Sequence, residues 1–435
     1  MVDGGFSLGR LAGSRYLRES ILFVGLQQAF QVVIGLFQVW ILTSHLSRES
    51  YGVWGYVAAL TAMASLFTLP GINQVITYGA ANLQHGVLMA GVRLRFSYGV
   101  LSSVLLLGLA WTHASSDRSH AAGLLLMTAL FMPVCQVMDS MDAFLSGLGN
   151  FRALFWRRVL LHGTLSAMLW VVAAWTGSLW VCGAILYGGE AVISTLLFIS
   201  LLKYRQNNLL PEQFGGLTRQ FSLQSVGSTV SRTMERPLLS LFIGFSDLAA
   251  YNVALTAQVP VTYGRLIDRI LISRLARLRD RIDLSWVWFG VWLLFGVGWL
   301  ACLLMILVAR WLVPGVFPDY VDAIPLMEIL LLQVPFAWGA KPGLSWLLAH
   351  AEHHVWYHRL NWGTILLRIF LIPTGVWMGG MTGVVWAWVA VELLTFLAVV
   401  LVLLKATGSA ATVLLPLVWK RSVADDDPNN KRATP

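Results

Sequence analysis

The stretch SWVWFGVWLLFGVGWLACLLMILVA, residues 285–309, contains no charged side chain. A helix of about 20 apolar residues crosses the hydrocarbon core of a bilayer, so this run is long enough to span one. It is one of twelve apolar runs along the chain, at about 21–42, 51–80, 97–112, 122–148, 158–176, 179–202, 220–245, 248–273, 285–309, 322–349, 359–377 and 382–404. The sequence therefore predicts an all-α polytopic membrane protein with twelve transmembrane helices.

The composition of the whole chain excludes the soluble classes of protein. Of 435 residues, 57% are hydrophobic and 12% are charged, whereas a soluble domain carries about 25% charged residues. This is too little charge to cover a solvated surface, which excludes a soluble enzyme and a disordered scaffold. The three cysteines lie inside apolar runs, where they are interpreted as packing residues: Cys135, Cys182 and Cys302.

The distribution of cations predicts the orientation in the membrane. Three of the 30 Lys and Arg residues fall in predicted outer loops: Arg48, Arg118 and Arg310. Four fall within predicted spans: Arg232, Arg236, Lys341 and Arg368. The remaining 23 lie in segments that are cytoplasmic if the N-terminus is cytoplasmic, as the positive-inside rule requires. We therefore predict both termini in the cytoplasm, and we interpret the net charge of +9 as an orientation signal rather than a nucleic-acid-binding surface.

A polar linker predicts two lobes. Residues 203–219, KYRQNNLLPEQFGGLTR, lie between the sixth and seventh spans. We expect one six-helix lobe at 1–202, a second at 220–405, and an interfacial segment with a disordered cytoplasmic tail at 406–435. Two similarities recur 200 residues apart and give modest evidence of a repeat: Tyr51-Gly52-Val53 with Tyr251-Asn252-Val253, and Trp156 with Trp356.

The seventh span carries a polar stripe. At 100° per residue its polar side chains fall within one arc of about 140°: Gln224, Ser225, Ser228, Ser231, Arg232, Glu235 and Arg236. In the first span, Gln27, Gln31 and Gln38 fall within about 40° of one another. A charge inside a bilayer costs at least about 2.5–3.5 kcal/mol, so such residues usually face protein, water or a substrate path. The two stripes indicate a polar cavity.

Three segments resemble one family. They are SRESYGVWGYVAAL (47–60), LFTLPGINQVITYGAANL (66–83) and MERPLLSLFIGFSDLAAYNVALTAQVP (234–260). Together they resemble the polysaccharide (O-antigen type) flippases of the multidrug/oligosaccharidyl-lipid/polysaccharide exporter (MOP) superfamily. The resemblance implies two six-helix lobes around a central cavity, lined largely by spans one, two, seven and eight. It also implies an undecaprenyl-diphosphate-linked oligosaccharide as cargo, moved by alternating access across the bacterial inner membrane for O-antigen and lipopolysaccharide biosynthesis.

The expected partners and energy source follow from this resemblance. The partners are the lipid-linked oligosaccharide, membrane lipids, a polysaccharide polymerase and a chain-length regulator, with no nucleic acid. No enzymatic activity, cofactor or metal is expected, and a proton or sodium gradient is the candidate energy source. In agreement, the sequence contains no P-loop, no nucleophile-elbow motif and no zinc-protease motif. His350, His354 and His358 are interpreted as part of an interfacial loop, with a metal face as the less favoured alternative.

A diphosphate cargo needs charge compensation, and the arginine guanidinium offers two parallel donors to phosphate oxygens. The predicted substrate-binding residues are Arg232, Arg236, Gln27, Gln31, Gln38, Gln224, Ser228 and Lys341. An alternative stays open for each of two cations. Arg232 could instead pair with Glu235 three residues later. The Lys341 side chain could instead extend along the helix to the cytoplasmic interface.

Acidic residues and prolines in the spans suggest ion coupling and hinges. The ion-coupling candidates are Asp139, Asp142 and Glu235, whose alternative role is pairing with cations across the bundle. The hinge candidates are Pro70, Gly71, Pro260 and Pro342, whose alternative is a static kink. Arg368 is expected to pair with Glu392.

Other functions remain as alternatives. One is a cation-coupled multidrug antiporter of the same superfamily, although that branch often carries an acid in span one and residues 21–42 contain none. Another is a membrane-embedded polysaccharide polymerase or glycosyltransferase, which usually needs a sizeable soluble loop to hold its acceptor. A structural scaffold is disfavoured by the charged stripe in span seven.

Overall fold

A computed structural model describes residues 14–115, 118–211, 214–261, 284–350 and 353–407. Its internal contacts divide the chain into two units, Met1–Val253 and Ala254–Pro435. The helices of the first unit are α1 (Ser14–His45), α2 (Arg48–Ala64), α3 (Ile72–Ala81), α4 (Gly86–Ala114), α5 (Ser119–Gly147), α6 (Phe151–Thr176), α7 (Leu179–Gly183), α8 (Glu190–Leu201), α9 (Phe214–Thr233), α10 (Glu235–Leu239) and α11 (Phe245–Ala254). Those of the second unit are α12 (Leu284–Val316), α13 (Ile324–Leu331), α14 (Gln333–Ala349) and α15 (His354–Thr407).

These helices confirm the all-α polytopic membrane fold. Among the described residues, eight helices are long and apolar enough to cross a membrane, and a bent pair makes a ninth. The longest, Val355–Ala406, holds the eleventh and twelfth predicted spans. Span seven corresponds to α9 and α10. The predicted span eight, 248–273, begins within α11, and its residues from 262 onward lie outside the described residues. The predicted segment 406–435 lies almost entirely outside them as well.

The last two spans form a tight hairpin within α15. The backbone reverses at Gly379 and Gly380, where Gly380 has a φ of 55° that favours glycine. Beyond the turn the two halves cross closely, because a Cβ on Gly383 would lie 2.0 Å from the carbonyl oxygen of Gly375. Glycine at this crossing is therefore a packing requirement.

We expect Gly383→Leu to lower the unfolding temperature of the protein. The added side chain would overlap the backbone of Gly375, and overpacking of this kind costs about 1–3 kcal/mol or more. Gly363→Leu is the matched control, since Gly363 lies in the same helix and a Cβ added there would have no atom within 4 Å. Thermal unfolding in detergent measures the difference, and equal melting temperatures for the two variants would contradict the crossing.

The second predicted span is bent, and its bend touches span seven. The segments Arg48–Thr68 and Ile72–Ala81 meet at 57°. Leu69 adopts a φ of 55°, and Pro70 has no N–H to continue the helix. A Cβ on Gly71 would lie 2.1 Å from the backbone nitrogen of Ser222, so α9 packs directly on the bend. Pro70 and Gly71 thus form a kink, and their movement as a hinge stays a prediction.

The two segments with similar sequence pack on each other. A Cβ on Gly52 would lie 1.8 Å from the carbonyl oxygen of Phe245, and one on Gly55 would lie 1.8 Å from Nδ2 of Asn252. Arg48 Nε donates to the carbonyl of Ser246 at 3.0 Å. The start of α11 is therefore docked on α2 within the first unit. The predicted lobe division at residues 203–219 stays a prediction.

The second unit has an aromatic core. The rings of Phe295 and Phe396 stack with centroids 5.2 Å apart, and Trp288 in the same cluster is fully buried. Trp338 Nε1 donates to the carbonyl of Pro260 at 3.0 Å, which ties the end of the described part of span eight to α14. Pro342 lies inside α14, so this predicted hinge residue sits within a continuous helix.

Candidate functional site

Span seven is interrupted at one residue, Met234, between its two arginines. Helix α9 ends at Thr233 and α10 begins at Glu235, so Arg232 and Arg236 stand on consecutive helices. The interruption is local, because Met234 N donates to the carbonyl of Val230 at 3.1 Å and Leu238 N donates to the carbonyl of Met234 at 3.1 Å. Its physical reason is Pro237, which cannot donate to the carbonyl of Thr233 four residues earlier. The predicted span over 220–245 stays a prediction.

The predicted polar stripe divides into a buried part and an accessible part. Ser231 is fully buried and Glu235 is 3% exposed, whereas Arg232 is exposed. Arg236 is half-buried, and its Nε makes no hydrogen bond to any described atom. The side chains of Gln224 and Ser228 lie outside the described residues. Within the described part of the stripe, the Arg232 side chain is thus exposed and the Glu235 side chain is not, and the substrate-binding role of the stripe stays a prediction.

The glutamines of span one differ in their surroundings. Gln27 is buried and Gln31 is half-buried. Gln38 Nε2 donates to Oγ of Ser166 at 2.8 Å, which joins α1 to α6. Gln38 thus has a structural partner in the bundle, and the sugar-binding role of the three amides stays a prediction.

Asp142 pairs with two arginines across the bundle. It accepts hydrogen bonds from Arg157 and, at 2.7 Å, from Nε of Arg158, both on α6. Arg157 is only 6% exposed. For Asp142 the structure thus contains the pairing that the sequence left open as an alternative to ion coupling.

Asp139 lies beside a second buried arginine. Nη2 of Arg95 is 4.0 Å from Oδ2 of Asp139, whose side chain is 64% exposed. Arg95 itself is 2% exposed, and its Nη1 donates to Oδ1 of Asn73 at 3.1 Å. Glu190, which follows a π-helical turn at Ala184–Gly189, interacts electrostatically with both Asp139 and Arg157. The first unit thus contains a charged cluster between α4, α5, α6 and α8.

Three cations of this cluster are predicted by the sequence to lie in cytoplasmic segments, and the structure places them within helices that are packed in the bundle. Arg95 belongs to α4, and Arg157 and Arg158 belong to α6. One signal could have revealed the pairing: the short connection after span four brings Asp142 close to the two arginines at the start of span five. For Arg95 no sequence signal distinguishes it from the exposed Arg93, because only the packing of α4 decides which of the two faces the bundle.

In the second unit the structure confirms one predicted contact. Arg368 Nη2 donates to Oε1 of Glu392 at 2.7 Å, and its guanidinium lies 5.1 Å from the centroid of the Trp388 ring. Lys341 is half-buried on α14, immediately before Pro342. Its role toward a substrate stays a prediction. Among the described residues, no group of His, Cys, Asp and Glu side chains is placed to hold a metal ion.

Comparison with known proteins identifies the fold. No family model and no curated protein matches the sequence. An inward-facing multidrug resistance MATE family transporter of the MOP superfamily matches with a TM-score of 0.65 at 14% identity, over 87% of this chain and 96% of that one. The lipid II flippase MurJ in an inward closed conformation matches with a TM-score of 0.57 at 14% identity, over 94% and 93%. A MOP superfamily transporter from Pyrococcus furiosus with a binding pocket of reversed polarity matches with a TM-score of 0.59 at 14% identity, over 89% and 94%. The chain therefore has the fold of MOP superfamily transporters.

Proposed function

We propose that the chain is a MOP superfamily flippase that moves an undecaprenyl-diphosphate-linked oligosaccharide across the bacterial inner membrane. The observation that carries the proposal is the pair Arg232 and Arg236 on either side of Met234 in span seven, one exposed and one half-buried. Cations within a membrane span are costly and usually mark a substrate or ion path. The fold shared with a protein described as a lipid II flippase supports a lipid-linked cargo.

The chemistry of the pair suits a diphosphate. Two guanidinium groups offer forked donors to phosphate oxygens and offset their charge where water is scarce. The amides of span one, with Gln31 half-buried, would bind sugar hydroxyls. The head group would cross through a polar cavity by alternating access while the polyprenyl chain stays in lipid. The cargo would serve O-antigen or lipopolysaccharide assembly, with a polymerase and a chain-length regulator acting on the exported unit.

Energy coupling belongs to the same proposal. Asp139 is the coupling acid that the geometry favours, because it is exposed beside Arg95, whereas Asp142 is paired and Glu235 is buried. A proton or a sodium ion that neutralises Asp139 would supply the drive. The uneven distribution of cations among the loops supports cytoplasmic positions for both termini.

A cation-coupled multidrug antiporter is the second candidate, supported by the match to a MATE family transporter. The sign of the accessible charge favours the flippase. Arg232, the exposed charge of the stripe, repels a cationic drug, and residues 21–42 supply no acid to attract one.

A deletion strain separates the two functions. We expect loss of this protein to abolish surface polysaccharide and to leave the inhibitory concentrations of cationic drugs unchanged. Both quantities are measured in the same strain, with surface polysaccharide detected by gel and silver stain. Complementation with the unaltered chain should restore the polymer. Intact polysaccharide together with increased drug sensitivity would favour the antiporter instead.

A further inference from the structure

Arg95 connects an acid to the bend of span two. Its Nη2 lies 4.0 Å from Asp139 on α5, and its Nη1 donates to Asn73 on α3 at 3.1 Å. Its Nη1 is also 3.5 Å from Oγ of Ser140, and its buried Nε makes no hydrogen bond to any described atom. Arg95 therefore has few partners. If its contact with one of them is lost, the guanidinium moves toward the others.

Asn73 lies two residues beyond Gly71, at the point where α3 leaves the bend. The backbone of α9 contacts Gly71 at Phe221 and Ser222, with no space for a Cβ between them. Arg232 lies ten residues beyond Ser222 on α9, a distance of about 15 Å along a helix. A movement of the bend is thus passed to the backbone of the helix that carries the proposed substrate arginine.

We propose that Arg95 is a positioning residue that passes the charge state of Asp139 to span seven through the bend of span two. The inference rests on the proposed flippase function for its biological meaning. When Asp139 is charged, it draws the guanidinium away from Asn73. When a bound cation or proton neutralises Asp139, the attraction on the Arg95 guanidinium is lost. Its hydrogen bond to Asn73 then shortens, and this fixes the bend of span two more firmly. The bend is then the two-state element that both sites bias, as a claim of coupling requires.

Several other ionisable groups interact electrostatically with Asp139. They lie on every neighbouring helix of the cluster: Arg95 on α4, Cys135 on α5, Arg157, Arg158 and His162 on α6, and Glu190 on α8. A change of pH would titrate more than one of them. The proposal is therefore tested by substitution at a fixed pH rather than by a pH series.

The direct test measures the bend in the full-length protein without any substrate. Spin labels are placed at Tyr78 on α3 and Gly216 on α9, both exposed, in a background whose three cysteines are replaced by alanine. Pulsed electron paramagnetic resonance then gives the distribution of distances between the labels. We expect Arg95→Gln to widen this distribution at least twofold and Asp139→Asn to narrow it. Arg93→Gln, an exposed cation on the same helix, should leave it unchanged.

A second variant shows whether the effect of Arg95→Gln comes from the lost contact or from misfolding. Asn73→Ala removes the acceptor but keeps the buried arginine, and we expect the same widening as for Arg95→Gln. The double variant should widen the distribution no further than either single variant, because both remove one contact. Distributions equal to that of Arg93→Gln in folded Arg95→Gln and Asn73→Ala would overturn the proposal.

A transport measurement distinguishes failure of this inference from failure of the proposed function. Proteoliposomes are loaded with an undecaprenyl-diphosphate-linked disaccharide as probe. We expect Asn73→Ala to lower the maximal rate about tenfold with little change in KM, since the substrate groups themselves are unaltered. Lost transport with an unchanged distance distribution rejects the coupling path and leaves the flippase function standing. A widened distribution in a protein that never transports the probe supports the path and rejects the flippase function.

Discussion

Arg232→Ala and Arg236→Ala are each expected to lower export of the polysaccharide by about ten- to a hundredfold. The reason is the lost contact to a charged head group, since a hydrogen bond to a charged group is worth about 1.5–3 kcal/mol. The double variant should abolish export. Surface polysaccharide in a complemented deletion strain, normalised to the amount of folded protein in the membrane, measures the effect.

A lysine variant and an exposed arginine sharpen this result. Arg232→Lys keeps the charge but loses the planar, forked guanidinium. We therefore expect export of the polysaccharide to lie between that of the unaltered protein and that of Arg232→Ala, whereas a purely electrostatic role would leave export unchanged. Arg219→Ala is the matched control, because Arg219 is exposed on the same helix near its start. Normal export by both alanine variants would exclude the two arginines as diphosphate ligands and leave pairing with neighbouring acids as their role.

Hydrophobic runs predict the all-α polytopic fold, because each membrane span must be apolar on its own. The ion pair of Arg368 and Glu392 was also predictable, since two charges in adjacent spans of a hairpin have few other partners. The interruption of span seven at Met234 was missed, although Pro237 is visible in the sequence. The 100° periodicity assumes a regular helix, and one missing backbone donor disturbs that regularity locally.

The candidate site was less predictable than the fold because burial depends on packing between helices. A helical wheel places Ser231, Glu235 and Arg232 in one polar arc, yet the first two are buried and the third is exposed. Likewise Arg95 differs from Arg93 by two positions, which turns it about 200° around α4 and into the bundle. From the sequence, a charge near the end of a predicted span is expected to be solvated. Arg95 lies near such an end and nevertheless belongs to a buried cluster.

The pairing of Asp142 yields the second large effect. We expect Asp142→Asn to lower the free energy of unfolding by about 3–5 kcal/mol, because it removes one partner of a buried ion pair and leaves the Arg157 charge in place. Glu328→Gln is the control, because it also removes the acid of an ion pair. Its partner Arg310 is 63% exposed, so the loss should change the stability by less than about 1 kcal/mol. The unfolding temperature and the yield of monodisperse protein in mild detergent measure both variants.

A compensating change distinguishes structure from coupling at Asp142. Asp142→Asn combined with Arg157→Met removes the carboxylate and the more buried of its two arginines, and leaves Arg158, which is 21% exposed. We expect it to recover part of the lost stability, because the buried Arg157 charge no longer lacks a partner. The double variant should also keep gradient-driven flux in proteoliposomes, since the pair acts as a brace between α5 and α6. If instead Asp142→Asn accumulates at normal levels and its flux no longer responds to a proton or sodium gradient, then Asp142 is the coupling acid. In that case the ion pair with Arg157 is part of the transport cycle, and Asp139 loses the role proposed for it.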